Sequence, residues 1–237
     1  MQLTFASYNI HKGIGADRRR DPDRILSVIE EVDADIIALQ EVDERFGSRR
    51  AVLDKDDIAA LGWNVAAHST KPASMGWHGN ALLVRSHINV LKVDAETLPR
   101  LEPRGAVRVK LDTGGGEICV TCMHLDLSGL RRKRQFAHLC TNSRAPGLPA
   151  VMMGDCNEWI RPIGEERGLA AHWQMVEPGP SFPARRPLLA LDRVMHTPHW
   201  EMLGAEVHSS RMARQASDHL PIKVTLRLQD APNVHDS

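Results

Sequence analysis

The chain has 237 residues, 42% of them hydrophobic, and its 30 Lys plus Arg balance 30 Asp plus Glu to a formal net charge of zero. This apolar content is enough for a packed core and excludes a disordered chain, and 17 Gly with 14 Pro exclude collagen-like or low-complexity composition. No apolar run reaches the ~20 residues of a membrane span, and the neutral balance removes the simplest argument for a polyanion-binding surface, a strongly basic domain.

The N-terminal MQLTFASYN lacks a basic flank before an apolar stretch, so no signal peptide is evident and the cytoplasm is the expected compartment. LTFASYNI (3 to 10) reads as a first strand. Asp21-Pro22-Asp23 supplies an N-cap and a proline at the first helical position, and Ile25, Val28, Ile29 and Val32 follow at helical spacing. After the turn Asp33-Ala34-Asp35, IIALQ (36 to 40) reads as a buried strand that delivers Glu41 at its end. A short helix is expected near 58 to 61, and strands at 80 to 86, 88 to 93, 106 to 111 and 117 to 125. On the last of these, Cys119 and Cys122 form a C-x-x-C, but residues three apart on a strand point to opposite faces, so all four cysteines are read as small buried hydrophobes. The basic segment 129 to 143 carries Leu130, Phe136, Ala137, Leu139 and Cys140 as one expected helical stripe. Strands at 149 to 155, 191 to 196 and 220 to 228 complete the pattern, with a short helix near 163 to 167 and a polar, frayed tail at 230 to 237. One α/β domain over 1 to 229, with sheets packed together and helices outside, is the economical architecture.

Polar residues cluster where the apolar runs end: Asn9 with His11, Glu41, His124 with Asp126, Asp155 with Asn157, Asp192, and Asp218 with His219. One carboxylate after a strand is usually a turn or helix cap. Six such endings together suit a cleft at the edge of a rigid sheet, and carboxylates, Asn and His without a nucleophilic elbow suit a hard cation such as magnesium, which prefers oxygen ligands. The clusters Arg18-Arg19-Arg20, Arg49-Arg50, Arg131-Arg132-Lys133-Arg134 and Arg185-Arg186 read first as solvated surface.

In order, SYNIHKG, ALQEVD, HGNALLV, CMHLD, MGDCNEW, LDRV and SDHLPIKV resemble the endonuclease/exonuclease/phosphatase superfamily, which includes pancreatic deoxyribonuclease, abasic-site endonucleases, neutral sphingomyelinases and inositol polyphosphate phosphatases. The resemblance implies a four-layer αββα sandwich of two packed mixed sheets flanked by helices. It implies Mg2+, with Mn2+ as an alternative, held by Glu41 as principal ligand with Asn9 and Asp218. It further implies that Asp155 orients or deprotonates the attacking water, that Asn157, His124 and His219 contact the phosphate, and that Asp192 orients His219. His11, Asn80 and Arg186 are the expected substrate contacts. Trp77, Trp159 and Trp173 are weighed as loop-borne contacts against ordinary core packing.

Abasic-site endonucleases carry an acidic residue two positions after the first Asn and a Tyr where this chain has His124; here those positions hold His11 and His124. This moves the sequence away from the abasic-site branch and towards the mixed branch of deoxyribonucleases, lipid phosphodiesterases and phosphatases; the expected activity is phosphodiester hydrolysis, with DNA as the leading substrate and a phospholipid or small phosphate ester as the alternative, and a monomer is expected. A catalytically inactive binding module is the third alternative, and the complete set of acids and histidines argues against it.

Overall fold

A computed structural model describes residues 1–44, 47–69, 71–98, 105–143, 147–159 and 172–229. The first sheet contains β1 (Gln2–Asn9), β2 (Ile36–Gln40), β3 (Trp63–Ala66), β4 (Asn80–Arg85), β11 (Trp200–Val207) and β12 (Ile222–Leu228), in the order β11-β12-β1-β2-β4-β3. The second contains β5 (Asn89–Thr97), β6 (Gly105–Asp112), β7 (Glu117–His124), β8 (Ala150–Asp155), β9 (Gln174–Val176) and β10 (Asp192–His196), in the order β5-β6-β7-β8-β10-β9. Each sheet is antiparallel except for one parallel pair, β1 with β2 and β7 with β8. Parallel neighbours need a crossover, and α1 (Pro22–Val32) supplies the first and α3 (Gly129–Asn142) the second.

Three apolar clusters define four layers. Phe5, Ile36, Ala38, Leu82, Val107, Val120, Cys122, Val151, Met153, Val194 and Val224 fill the space between the sheets. Ile25, Val28, Ile29 and Val32 of α1 cover the outer face of the first sheet, against Tyr8, Ile37, Leu39 and Leu83. Phe136, Leu139 and Cys140 of α3 cover the outer face of the second, against Cys119, Met123 and Met152. The αββα sandwich is thus observed. Cys119 and Cys122 do face opposite layers, and all four cysteines are free and buried.

The N-cap of α1 is as expected, with the Asp21 carboxylate accepting from the Arg24 N–H at 3.3 Å. The stripe expected on α3 differs: Leu130 is exposed, and the buried face is Arg132, Gln135, Phe136, Leu139 and Cys140. Leu130 stands nine residues before Leu139, about two and a half turns, and so faces the opposite side. A short helix, α2 (Lys55–Ala60), forms near the expected 58 to 61, and α4 (Ala213–Ala216) precedes β12. Strands β3, β9 and β11 were not expected, while the helix expected near 163 to 167 and the tail from 230 lie outside the described residues. Among the described residues no helix is long and apolar enough to cross a membrane.

Candidate active site

On each inner strand the residues facing the opposite sheet alternate along the chain, and at one end of the sandwich that alternation turns from apolar to polar. Val120 and Cys122 are followed at the next inward position by His124, Val151 and Met153 by Asp155, and Val194 is preceded by Asp192. The register aligns these endings: His124 pairs with Asp155 across the parallel ladder, and Asp155 with Asp192 across the antiparallel one. On the facing sheet Phe5 is followed inward by Ser7 and Asn9, which pairs with Gln40. Gly154 shows why a glycine must precede Asp155: a Cβ built there lies 1.9 Å from the Met123 carbonyl oxygen, so β7 and β8 approach too closely for any side chain.

Asp155 is the hub. Its carboxylate accepts from Asn9 Nδ2 at 3.0 Å, which ties the two sheets together, and from the Asn157 backbone N–H at 2.9 Å. Its Oδ2 lies 3.4 Å from His124 Nε2 and 3.7 Å from His219 Nε2. His219 Nδ1 in turn lies 2.9 Å from Asp192 Oδ2, which also accepts from the Ser181 hydroxyl. One imidazole is therefore held between two buried carboxylates. Burial alone would push its pKa down, but Asp192 and then Asp155 outweigh it and raise His219 to about 10. Burial likewise works against ionised Asp155, yet the charges of His219 and His124 hold its carboxyl well below the usual range. Asp192, fully buried, is pushed up despite His219. Asn157 turns through a left-handed backbone (φ 50°) and uses one amide hydrogen on the Leu125 carbonyl, leaving the other for a ligand.

These groups open into a cavity of about 550 Å³ lined also by His11, Lys12, Glu41 and Asp218. The Lys12 ammonium pairs with Glu41 Oε2, and His11 Nδ1 lies 3.1 Å from the Ile14 carbonyl and 3.7 Å from Asp218 Oδ1. The Asn9 side-chain oxygen accepts from the His11 N–H at 3.1 Å. Among the described residues no three His, Cys, Asp or Glu side chains form a group that could hold a metal ion by themselves. Magnesium is usually held by one or two carboxylates with several waters retained, so two partly exposed carboxylates, Glu41 and Asp218, beside an amide oxygen are a donor set that fits it; manganese shares the oxygen preference.

The cavity lining also includes five apolar residues, Leu127, Trp159, Phe182, Leu189 and Leu191. Leu127 and Trp159 are 51% and 50% exposed, high for their type. Of the three tryptophans weighed as contacts, Trp159 alone lines this cavity; Trp173 is buried with Nε1 on the Cys140 carbonyl, and Trp77 donates to the Glu96 carbonyl. Two expected substrate contacts stand elsewhere. Asn80 is fully buried and donates to the Trp77 and Gly105 carbonyls, so its amide ties β4 to β6, and Arg186 is exposed and does not line the cavity. Asp126 caps the approach to α3 by accepting from the Ser128 N–H. Ser181, Phe182 and Lys12 complete the site; in the sequence each stands within a segment expected beside the cleft, Ser181 and Phe182 in SFPARRPLLALDR just upstream of Asp192 and Lys12 in the HKG run that offers cationic groups there.

The family model for the Endonuclease/Exonuclease/phosphatase family matches residues 6–219. Among solved structures, the chain is similar to the endonuclease/exonuclease/phosphatase from Beutenbergia cavernae, with 22% identity over 98% of this chain and 73% of that one and a TM-score of 0.76. It is similar to D. rerio TDP2 complexed with single strand DNA product, with 16% identity over 95% and 99% of the two chains and a TM-score of 0.72. It is also similar to the human Nocturnin catalytic domain with bound sulfate anion, with 18% identity over 96% and 95% and a TM-score of 0.71. No curated protein matches the chain.

Proposed function

Because the chain belongs to the endonuclease/exonuclease/phosphatase family, a family of hydrolases, we propose that it is a magnesium-dependent phosphoesterase that cleaves phosphodiester bonds, with DNA as its substrate. The observation that carries this reading is the single register row of His124, Asp155 and Asp192, with His219 held between the two carboxylates. Phosphodiester hydrolysis must neutralise the non-bridging oxygens, activate a water and stabilise a leaving alkoxide. Protonated His219, His124 and the remaining Asn157 amide hydrogen face the cavity and serve the first task. Asp155, kept ionised, orients the attacking water and accepts its proton. Glu41, Asp218 and Asn9 would hold magnesium, which would supply Lewis-acid stabilisation of the charge that develops in the reaction.

The apolar residues in the cavity lining favour one second reading, a phospholipid whose apolar part contacts Leu127, Trp159, Phe182, Leu189 and Leu191. A panel of supercoiled plasmid, single-stranded and abasic DNA, RNA, phosphatidylglycerol, cardiolipin, sphingomyelin and inositol phosphates, each with magnesium and with chelator, separates the two. DNA cleavage that chelator abolishes, with affinity falling steeply as salt rises, is the expected result. Hydrolysis of lipid alone would transfer the assignment to the second reading, and no hydrolysis of any substrate with any divalent metal would overturn both.

A further inference from the structure

Lys12 stands in an unusual place. Both His11 (φ 44°) and Lys12 (φ 57°) are left-handed in the short turn His11–Gly13 after β1, and Glu41 is left-handed as well (φ 59°) at the end of β2. Residues with side chains avoid this backbone, and where it persists it clusters at ligand-clamping segments. Here two such segments on neighbouring parallel strands bring the Lys12 ammonium onto the Glu41 carboxylate, and both side chains line the cavity while remaining about a quarter exposed. An ordinary surface ion pair contributes little and needs no such backbone on both partners.

From this geometry we infer that Lys12 is the resident counter-cation of Glu41: it holds the carboxylate in the metal-free protein, competes with a divalent cation for it, and contacts the substrate phosphate once displaced. The inference rests on Glu41 belonging to the cation-binding set of the proposed function. An ammonium and a divalent ion repel one another at one carboxylate. The flexible four-carbon stem of lysine lets its charge move within the same cavity, where a phosphate is the nearest new anion for it. Binding of the cation and of phosphate then strengthen one another reciprocally.

The test is calorimetric and needs no turnover. Mg2+ is titrated into the metal-stripped full chain and into Lys12→Met, Lys12→Gln, Lys12→Arg and Glu41→Gln variants, with melting curves to confirm folding. Inorganic phosphate is then titrated into each Mg2+-saturated protein. Removing the charge in either the Met or the Gln variant is expected to tighten Mg2+ binding about fivefold to tenfold and to weaken phosphate binding by a similar factor, while Lys12→Arg stays close to the parent. Unchanged Mg2+ affinity in the charge-removing variants, with Glu41→Gln still weakening it, overturns this inference alone. Tightened Mg2+ binding with unchanged phosphate affinity overturns its phosphate half. Absence of Mg2+ binding by the parent overturns the proposed metal dependence, and this inference with it.

Discussion

Replacing Asp192 by Asn tests the charge relation at the centre of the site. The Asp192 carboxylate is fully buried and lies 2.9 Å from His219 Nδ1. Two unit charges 4 Å apart at an effective dielectric constant of about 20 interact by ~4 kcal/mol, equivalent to about 3 pKa units. An asparagine keeps the shape and an acceptor for the Nδ1 proton but removes that charge, while Asp155 at 3.7 Å remains. The His219 imidazolium, raised to about 10 in the parent, is therefore expected to lose its proton about 1 to 3 units lower in the variant. Proton-detected correlations of the imidazole nitrogens in metal-free protein, followed from pH 5 to 11, read this directly. In the proposed function His219 serves the phosphate in its protonated form, so activity should be present below its pKa and fall as pH rises through it. The alkaline limb of the loaded protein's rate profile should move down by the same interval, so that the full shift of about 3 units costs about tenfold in kcat at pH 8. An unchanged titration midpoint in Asp192→Asn, or a parent His219 titrating near its ordinary value, would refute the reasoning.

Other outcomes follow from the packing. The buried Arg132 guanidinium binds Glu158 Oε2 at 3.0 and 2.9 Å and the Asp126 and Leu127 carbonyls at 3.2 and 3.0 Å; Arg132→Met should lower the stability measured by urea denaturation by about 3 to 5 kcal/mol, and a loss below 1 kcal/mol would contradict a buried pair. Gly154→Ala should force β7 and β8 apart at the His124–Asp155 row, lowering stability by about 3 kcal/mol, and thermal unfolding like the parent's would show that the strands do not approach so closely. Burial pushes the thiols of Cys119 to about 11 and of Cys122 and Cys140 to about 12, and raises Cys156 further. Ellman's reagent at pH 8 should find no reactive thiol in the native protein and four in guanidinium, and rapid native labelling would be the contrary result.

Where a strand carries its own apolar run, the sequence discloses it, because period-two burial is a local signal. The eight-residue β11 gives no such signal, because its ladder is irregular between Met202 and Gly204 and its Met202 and Leu203 are exposed, so it shows no clean alternation. The four-residue β3 and three-residue β9 are too short for a period to register. At the site, the residues ending inner strands were legible for the same reason that apolar ones were: each continues an inward-facing series. Asn80 shows the limit of that rule. It also begins a strand and faces inward, but it pairs with Gln40 beneath the Gly105 backbone, and its amide is used by the Trp77 and Gly105 carbonyls. Ser181 and Lys12 were legible only as members of the segments SFPARRPLLALDR and HKG, and not through the partners they take. One lies on a loop eleven residues before its partner Asp192, and the other reaches Glu41 only through left-handed backbone that no residue pattern announces.

Hydrolysis of bis(p-nitrophenyl) phosphate by the parent and by Asp155→Asn, with Mg2+ and with chelator, tests most directly whether the Asp155-centred cluster is a metal-dependent phosphodiesterase. Mg2+-dependent release of p-nitrophenol by the parent, abolished by chelator and reduced about 10²- to 10⁴-fold in the variant, is the expected result, with melting curves showing both proteins folded. Parent-like turnover by folded Asp155→Asn would contradict it.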